Sequence, residues 1–345
     1  MSLSEPRILL IKLSSLGDVI HALPTLEALR SLFPQGHITW LVEDINAPLL
    51  TGHPALDEVW PVPRPRLGNG KFLQNIGELL GVARRLREEP FDLVVDLQGL
   101  LKSAVWVALV RGKRKVGYDR TRECSYLPLT ERLAPFDPEA HAVLRCLNVA
   151  RHLGAAAAPL RFRLGLPPPE EMSHVLPPEP DQRLAVLHPG ARWPTKLWPA
   201  AHWAALAGWL VREKGFQVAL TGSQGDRELA GDIAVLAEVP LINLAGRTSL
   251  AELAGLLQKA RLAVTTDTGP MHLACALGTP VVALFGPTAP WRTGPFGEGH
   301  EVVRLAFPCS PCFRRRCPEP RCLTKLPVSR AQEAVEKILV RRKNP

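Results

Sequence analysis

The chain of 345 residues has no apolar run that approaches the roughly 20 residues a membrane-spanning helix requires. Its early apolar stretch, Ile8-Leu9-Leu10-Ile11, is too short for a signal peptide and reads as a first strand. These two absences lead us to expect a cytoplasmic protein, at most peripheral on the inner face of the cytoplasmic membrane. Aromatic residues make up 6% of the chain and are not interleaved with basic ones. No nucleic-acid module is recognisable either, so the net charge of +9 is not read as a sign of a nucleic-acid partner. The turn after the first strand also lacks Gly-x-Gly-x-x-Gly: only Gly17 stands in Lys12-Leu13-Ser14-Ser15-Leu16-Gly17-Asp18. That disfavours a nicotinamide-dependent dehydrogenase.

What is present is localised positive charge. Residues 301–345 hold 11 Lys and Arg against 4 Asp and Glu. In the first half, Lys102, Arg111, Lys113, Arg114, Lys115, Arg120 and Arg122 face only Asp119. Such patches fit an anionic partner, either substrate phosphates or an acidic membrane surface, or else a plainly solvated face. Seven cysteines in a cytoplasmic chain are expected to be mostly reduced. Four of them, Cys309, Cys312, Cys317 and Cys322, lie close together among Arg314, Arg315, Arg316 and Arg321. Four thiols at this spacing can close on one tetrahedral metal, form a redox-sensitive loop made reactive by the arginines, or simply pack. We assign no metal and no cofactor.

Strand-like and helix-like segments alternate, which implies parallel sheets covered by helices. Strand Arg7–Leu13, helix Asp18–Leu32, strand His37–Glu43, a charged helix from about Ile76 to Glu89 and strand Phe91–Asp96 lead the first half, and Val116-Gly117 continues it. Residues 166–182 then turn proline-rich and read as a stiff linker. Alternation restarts with strand Leu184–His188, helix Ala200–Lys214, strand Gln217–Thr221 and helix Asp226–Leu236. Strand Leu241–Leu244, helix Leu250–Lys259, strand Leu262–Thr266, helix Met271–Leu277 and strand Pro280–Phe285 follow. We therefore expect two Rossmann-like domains, residues 1–165 and 183–328, facing across a cleft. A last helix within 329–345 is expected to pack back on the N-terminal domain.

The densest signal is Asp267-Thr268-Gly269-Pro270-Met271-His272. A buried strand ends there in an acid, a hydroxyl and a glycine, and Pro270 opens a helix, with Asp267 or Thr268 to cap it. The free N–H groups and dipole of such a start suit a phosphate. At the first strand-to-helix turn, Asp18 is either a plain helix cap or a carboxylate placed to take a proton from a substrate hydroxyl.

These residues, together with Asp96-Leu97-Gln98-Gly99-Leu100-Leu101-Lys102-Ser103, resemble the ADP-heptose:lipopolysaccharide heptosyltransferases of glycosyltransferase family 9. The first two motifs look more like the type that adds the first heptose to the Kdo–lipid A inner core. The resemblance, spanning about residues 7 to 340, implies a GT-B fold with an N-terminal acceptor side and a C-terminal ADP-sugar side. It implies that Asp18 is the catalytic base, and that Lys196, in His188-Pro189-Gly190-Ala191-Arg192-Trp193-Pro194-Thr195-Lys196, meets the donor phosphates. Asp267, Thr268, Gly269 and His272, with Gly190, Ala191, Gly222, Asp226 and Thr248, fall on the donor side. Ser15, Gly17, Gln98, Lys102, Arg120 and Arg122 fall on the acceptor side, where arginine forks match anionic groups.

The reaction implied is an inverting transfer of heptose from ADP-heptose to an anionic Kdo–lipid A glycolipid at the membrane. Lys196 and the helix start at Gly269 would offset the charge of the departing ADP without a required divalent metal. The rival readings are another GT-B transferase or an epimerase acting on a different nucleotide-sugar and, more remotely, a basic nucleic-acid-binding protein.

Overall fold

A computed structural model describes residues 5–64, 72–166 and 183–342, which belong to two compact units, Met1–Leu166 and Pro167–Pro345. Nearly all of the expected linker, from residue 167 to 182, lies outside the described residues.

The first unit runs β1 (Arg7–Ile11), α1 (Leu16–Leu32), β2 (His37–Glu43), β3 (Glu58–Val62), α2 (Phe72–Glu88), β4 (Pro90–Asp96), α3 (Leu101–Leu109), β5 (Arg111–Tyr118), β6 (Glu131–Leu133) and α4 (Ala142–His152). Its sheet is parallel and six-stranded, in the order β3-β2-β1-β4-β5-β6. Ile8 to Ile11 of β1 and Leu93 to Val95 of β4 are buried without alternation, as strands covered on both faces must be. On one face α2 and α3 pack Leu86, Trp106 and Val107 against Leu9, Ile11 and Val94. α1 packs against α4.

The second unit runs β7 (Leu184–His188), α5 (Ala200–Arg212), β8 (Gln217–Leu220), α6 (Arg227–Ala237), β9 (Ile242–Asn243), α7 (Leu250–Lys259), β10 (Leu262–Thr266), α8 (Gly269–Ala276), β11 (Val281–Phe285), α9 (Pro290–Thr293), β12 (Glu301–Arg304), α10 (Arg321–Thr324) and α11 (Val328–Arg341). Its parallel sheet, β12-β11-β10-β7-β8-β9, has the same connectivity as the first. In each unit the chain reverses direction across the sheet between its first strand and its fourth: β1 and β4, then β7 and β10. Ligands of doubly wound sheets gather at the carboxyl ends of those two strands.

α11 carries its apolar residues at Ala331, Ala334, Val335 and Ile338, a single stripe, and buries them in the core of the second unit with Trp203, Leu206 and Val303. It packs on α5, β11 and β12. The entry to α11 is fixed by Trp198, whose Nε1–H donates to Leu326 O at 2.9 Å and whose ring meets Trp203 edge-on at 5.2 Å.

Among the buried histidines, His53 and His188 have pKa values that burial lowers to about 4.

Trp198→Phe removes the indole N–H, orphans the Leu326 carbonyl and leaves a small cavity, so we expect a loss of at least about 1–3 kcal/mol in urea unfolding. Val340→Ala, on the exposed side of α11, serves as the unaffected control. For His188 the neutral form belongs to the native state, while the unfolded chain takes a proton below its ordinary value of 6.5. Its contribution is thus full above pH 6.5 and is lost as pH falls toward 4, by about 2 kcal/mol at pH 5. The pH dependence of unfolding in that window should be shallower in His188→Gln than in the wild type.

Candidate functional site

At the carboxyl ends of β1 and β4, the loops of the first unit are tied together by side chains. Gln98 Oε1 accepts from the backbone N–H of both Leu13 and Ser14, each at 3.0 Å. Lys102 Nζ donates to Ser14 Oγ and to Glu43 Oε1, the latter at 2.9 Å. Lys12, buried to 6% exposure, crosses the same gap with Nζ on Leu97 O at 2.8 Å. Asp96 shapes the second loop by accepting from Gln98 N, Gly99 N and Ser103 Oγ, although burial pushes its pKa up.

Asp18 occupies the first turn of α1. Its Oδ2 accepts from both the N–H and the Oγ of Ser15, each at 2.9 Å. The helix cap is therefore Ser15, and Asp18 is the acid three residues on that completes the turn. Ser15, Gly17, Asp18, Gln98 and Lys102 come together at one switch point. Arg120 and Arg122 stand on the adjoining loop after β5, both exposed. That loop lies against Gly99, which has φ +63°, and a Cβ there would sit 3.2 Å from Thr121 Cγ2. A separate cavity of about 740 Å³, lined by Tyr118, Arg132, Phe136, Arg145 and Arg151, lies between β6 and α4 and includes none of the predicted acceptor residues.

The corresponding point of the second unit is held by charge. Lys196 ends a short 3-10 turn, Pro194–Lys196, in the loop after β7. Its Nζ reaches Asp267 Oδ2 at 2.6 Å and Asp267 O at 3.0 Å, in the loop after β10. Both side chains are largely buried, at 16% and 7% exposure. Thr288 Oγ1 adds a third tie, donating to Asp267 Oδ2 at 2.7 Å, and Thr266 Oγ1 donates to Gly190 O at 2.7 Å. Two of the three N–H donors of Lys196 already serve Asp267. A ligand anion must share this ammonium with Asp267.

Directly after Asp267, α8 begins at Gly269 with Thr268 as cap and Pro270 in its first turn. Thr268 Oγ1 donates back to Thr266 O and caps no helix N–H, while His272 is buried in the first turn. Gly190, Gly222 and Asp226 also converge. A Cβ on Gly190 would lie 2.5 Å from the Asp226 carboxyl, so only glycine fits there. Asp226 Oδ2 accepts from Ser223 N and Oγ at 2.7 and 2.6 Å, a turn-holding arrangement like that of Asp18. Ala191 follows Gly190 in the same loop. Thr248 sits after the edge strand β9, away from the Lys196–Asp267 pair in sheet order.

Sequence reasoning missed Lys12, Thr288, Trp193 and Arg315. The Trp193 ring has Lys196 Nζ 4.7 Å from its centroid and Arg315 Cζ at 5.2 Å. Thr195 Oγ1 donates to Arg314 O, so part of the basic C-terminal segment braces the Lys196 loop. Lys12 had a signal, a charge ending an apolar strand, but Thr288 and Arg315 reach the site only through tertiary folding. The four clustered cysteines are free thiols, and among the described residues no three His, Cys, Asp or Glu side chains form a group able to hold a metal ion. The arginines do not make Cys322 acidic; burial and the neighbouring thiols push its pKa up.

Comparison with known proteins agrees with this geometry. The sequence model described as glycosyltransferase family 9 (heptosyltransferase) matches residues 79–323. The chain is 37% identical to lipopolysaccharide heptosyltransferase 1 of Pseudomonas aeruginosa, over 97% of this chain and 98% of that protein. It is 31% identical to the protein of the same name from Escherichia coli K12, over 86% and 93%. Among solved structures, Escherichia coli ADP-heptose lipopolysaccharide heptosyltransferase II superposes with a TM-score of 0.79 at 27% identity, over 98% and 99% of the two chains. The Escherichia coli heptosyltransferase WaaC with ADP superposes with a TM-score of 0.76 at 26% identity, over 96% and 99%. Two six-stranded parallel sheets of this connectivity are the GT-B fold, and the chain belongs to glycosyltransferase family 9.

Proposed function

We propose that this glycosyltransferase moves a heptose from ADP-heptose to the Kdo–lipid A inner core of lipopolysaccharide, with inversion at the anomeric carbon, on the cytoplasmic face of the inner membrane. One observation carries the reading. The nearly full-length match to a lipopolysaccharide heptosyltransferase 1 coincides with candidate residues gathered at both switch points. A solved relative, WaaC, is described with ADP-2-deoxy-2-fluoro heptose, which supports the choice of donor.

In this reading the second unit holds the donor by its diphosphate. The α8 start offers N–H groups and the positive end of a helix dipole. Lys196 shares its charge between Asp267 and the phosphates, and that charge counts for more as negative charge builds on the leaving ADP. His272, at the same turn, is a further donor to phosphate or sugar. Gly190, Ala191, Gly222, Asp226 and Thr248 shape the loops around the nucleotide.

The first unit takes the acceptor. Asp18 removes the proton from the attacking hydroxyl late in the reaction, when that proton has become acidic. Ser15, with its hydroxyl and N–H on the same carboxylate oxygen, fixes its direction. Gln98 and Lys102 hold the loop that presents it, and Arg120 and Arg122 meet the anionic groups of the acceptor.

Incubating the chain with ADP-heptose and a Kdo–lipid A acceptor, followed by mass spectrometry of the glycolipid, tests the whole reading: a gain of one heptose is expected, and an unchanged acceptor mass rejects it. Asp18→Asn leaves Ser15 an oxygen acceptor but removes the base. Turnover should fall by about 10²–10⁴-fold with ADP affinity unchanged, and near-normal turnover would remove the base assignment. Lys196→Ala should lower kcat/KM for the donor by about 100-fold, with both kcat and KM affected. Unchanged values for both would take Lys196 out of the site.

A further inference from the structure

The Lys196–Asp267 pair carries no net charge, yet it stands where the proposed donor brings its diphosphate. That diphosphate holds two negative charges, and the ADP that leaves gains about one more at neutral pH. The start of α8 offers only a partial positive charge in return. A second full cation beside Lys196 would complete the site, and the fold brings one from a distant stretch of chain.

Between Val302 and Gln332 the sequence holds seven Lys and Arg and a single acid, Glu319. Glu319 is taken by Arg321, whose Nη2 donates to it at 2.6 Å. The part of this stretch that leads into Arg314, Arg315 and Arg316 is pinned to the loop after β11. Ser310 Oγ donates to Gly286 O at 2.7 Å, and the N–H groups of Cys312 and Phe313 donate to Pro287 O at 3.0 and 2.8 Å. Pro287 directly precedes Thr288, which holds Asp267. On the other side, Arg314 O accepts at 2.8 Å from Thr195, the neighbour of Lys196. The basic segment is thus tied to the surroundings of both members of the pair.

Arg314, Arg315 and Arg316 are all exposed, and none has an ion-pair partner among the described residues. Arg315 is the one placed on a side chain of the site. Its Cζ lies 5.2 Å from the centroid of the Trp193 ring, and Lys196 Nζ lies 4.7 Å from the same centroid. Two cations on one indole repel each other, and an exposed cation–π contact returns only about 0.5–1 kcal/mol. The carboxylate at hand, Asp267, is 7% exposed and already serves Lys196 and Thr288. An anion held by both cations turns their repulsion into attraction. Arginine suits that task, since its guanidinium stays charged and its planar fork matches two phosphate oxygens.

We propose that Arg315 is a phosphate-binding residue, which with Lys196 clamps the diphosphate of the nucleotide donor beside the Trp193 ring. It supplies the charge that Asp267 withholds from the ligand, and its role rests on the donor reading given above.

Calorimetric titration of the full chain with ADP and with adenosine, wild type against variants, tests this role. Arg315→Gln should bind ADP about tenfold more weakly and adenosine as the wild type does. Its ADP affinity should also depend less steeply on salt. Arg315→Lys, which keeps the charge and loses the fork, should fall between the two. Arg316→Gln removes the neighbouring charge and should match the wild type with both ligands. Position 315 is exposed, so the urea midpoint of Arg315→Gln should stay at the wild-type value. Equal ADP affinity in Arg315→Gln and the wild type would overturn the proposal and leave the donor reading standing. So would an equal loss for adenosine, which would make Arg315 a prop for the Trp193 ring. An equal loss of ADP affinity in Arg316→Gln would overturn it too, because the effect would then belong to the field of the whole segment. A wild type that binds ADP no better than adenosine would reject the donor reading itself, and the clamp with it.

Discussion

Lys196 and Asp267 meet at 2.6 Å with little solvent around either, and their loops lie at the carboxyl ends of the first and fourth strands of the second unit. An ion pair this buried adds little net stability, because desolvation of both charges offsets most of their attraction. Its effect is positional. The pair, with Thr288 on the same carboxylate oxygen and Thr266 tied to Gly190 O, fixes where an ammonium stands beside the opening turn of α8. An arriving diphosphate would then find a cation already oriented beside a helix start whose N–H groups the Thr268 side chain leaves uncapped, so little ordering remains to be done on binding.

The first unit ties its loops differently: its Lys102–Glu43 ion pair leaves the lysine 38% exposed. Gln98 and Lys102 bind the Leu13–Ser14 backbone and the Ser14 hydroxyl, and Lys12 spans to Leu97 O. The Asp18 carboxylate is thereby presented from a loop tied at several points. Its bonds from Ser15 also explain why the residue reads as an ordinary helix acid: the same geometry recurs at Ser223 and Asp226, where it holds a turn against Gly190. In the proposed function, structure-holding and proton-accepting roles use one arrangement, and the two are separable only by the chemistry that variants retain.

Much of this was legible in the chain. Strands buried on both faces, such as β1, β4, β7 and β10, read as apolar runs, and their alternation with helices gave the doubly wound class. β6, of three residues, and α3, whose outer side is as aliphatic as its inner, gave no clear period and went unread. α11 has a clean apolar stripe, but the stripe states only that a face is buried, not which core receives it. Motif residues were found where glycine, proline and acid follow a strand. What the chain could not disclose was pairing across distant loops: Lys196 taken up by Asp267, Arg315 over Trp193 and Thr288 on Asp267.

In the proposed function the second unit grips a nucleotide by its charged tail, at a preformed cation and helix start. Calorimetric titration with ADP and, separately, with adenosine tests it most directly. The account predicts that ADP binds at least about tenfold more tightly and that the difference shrinks as salt rises. Equal affinity for the two would contradict it.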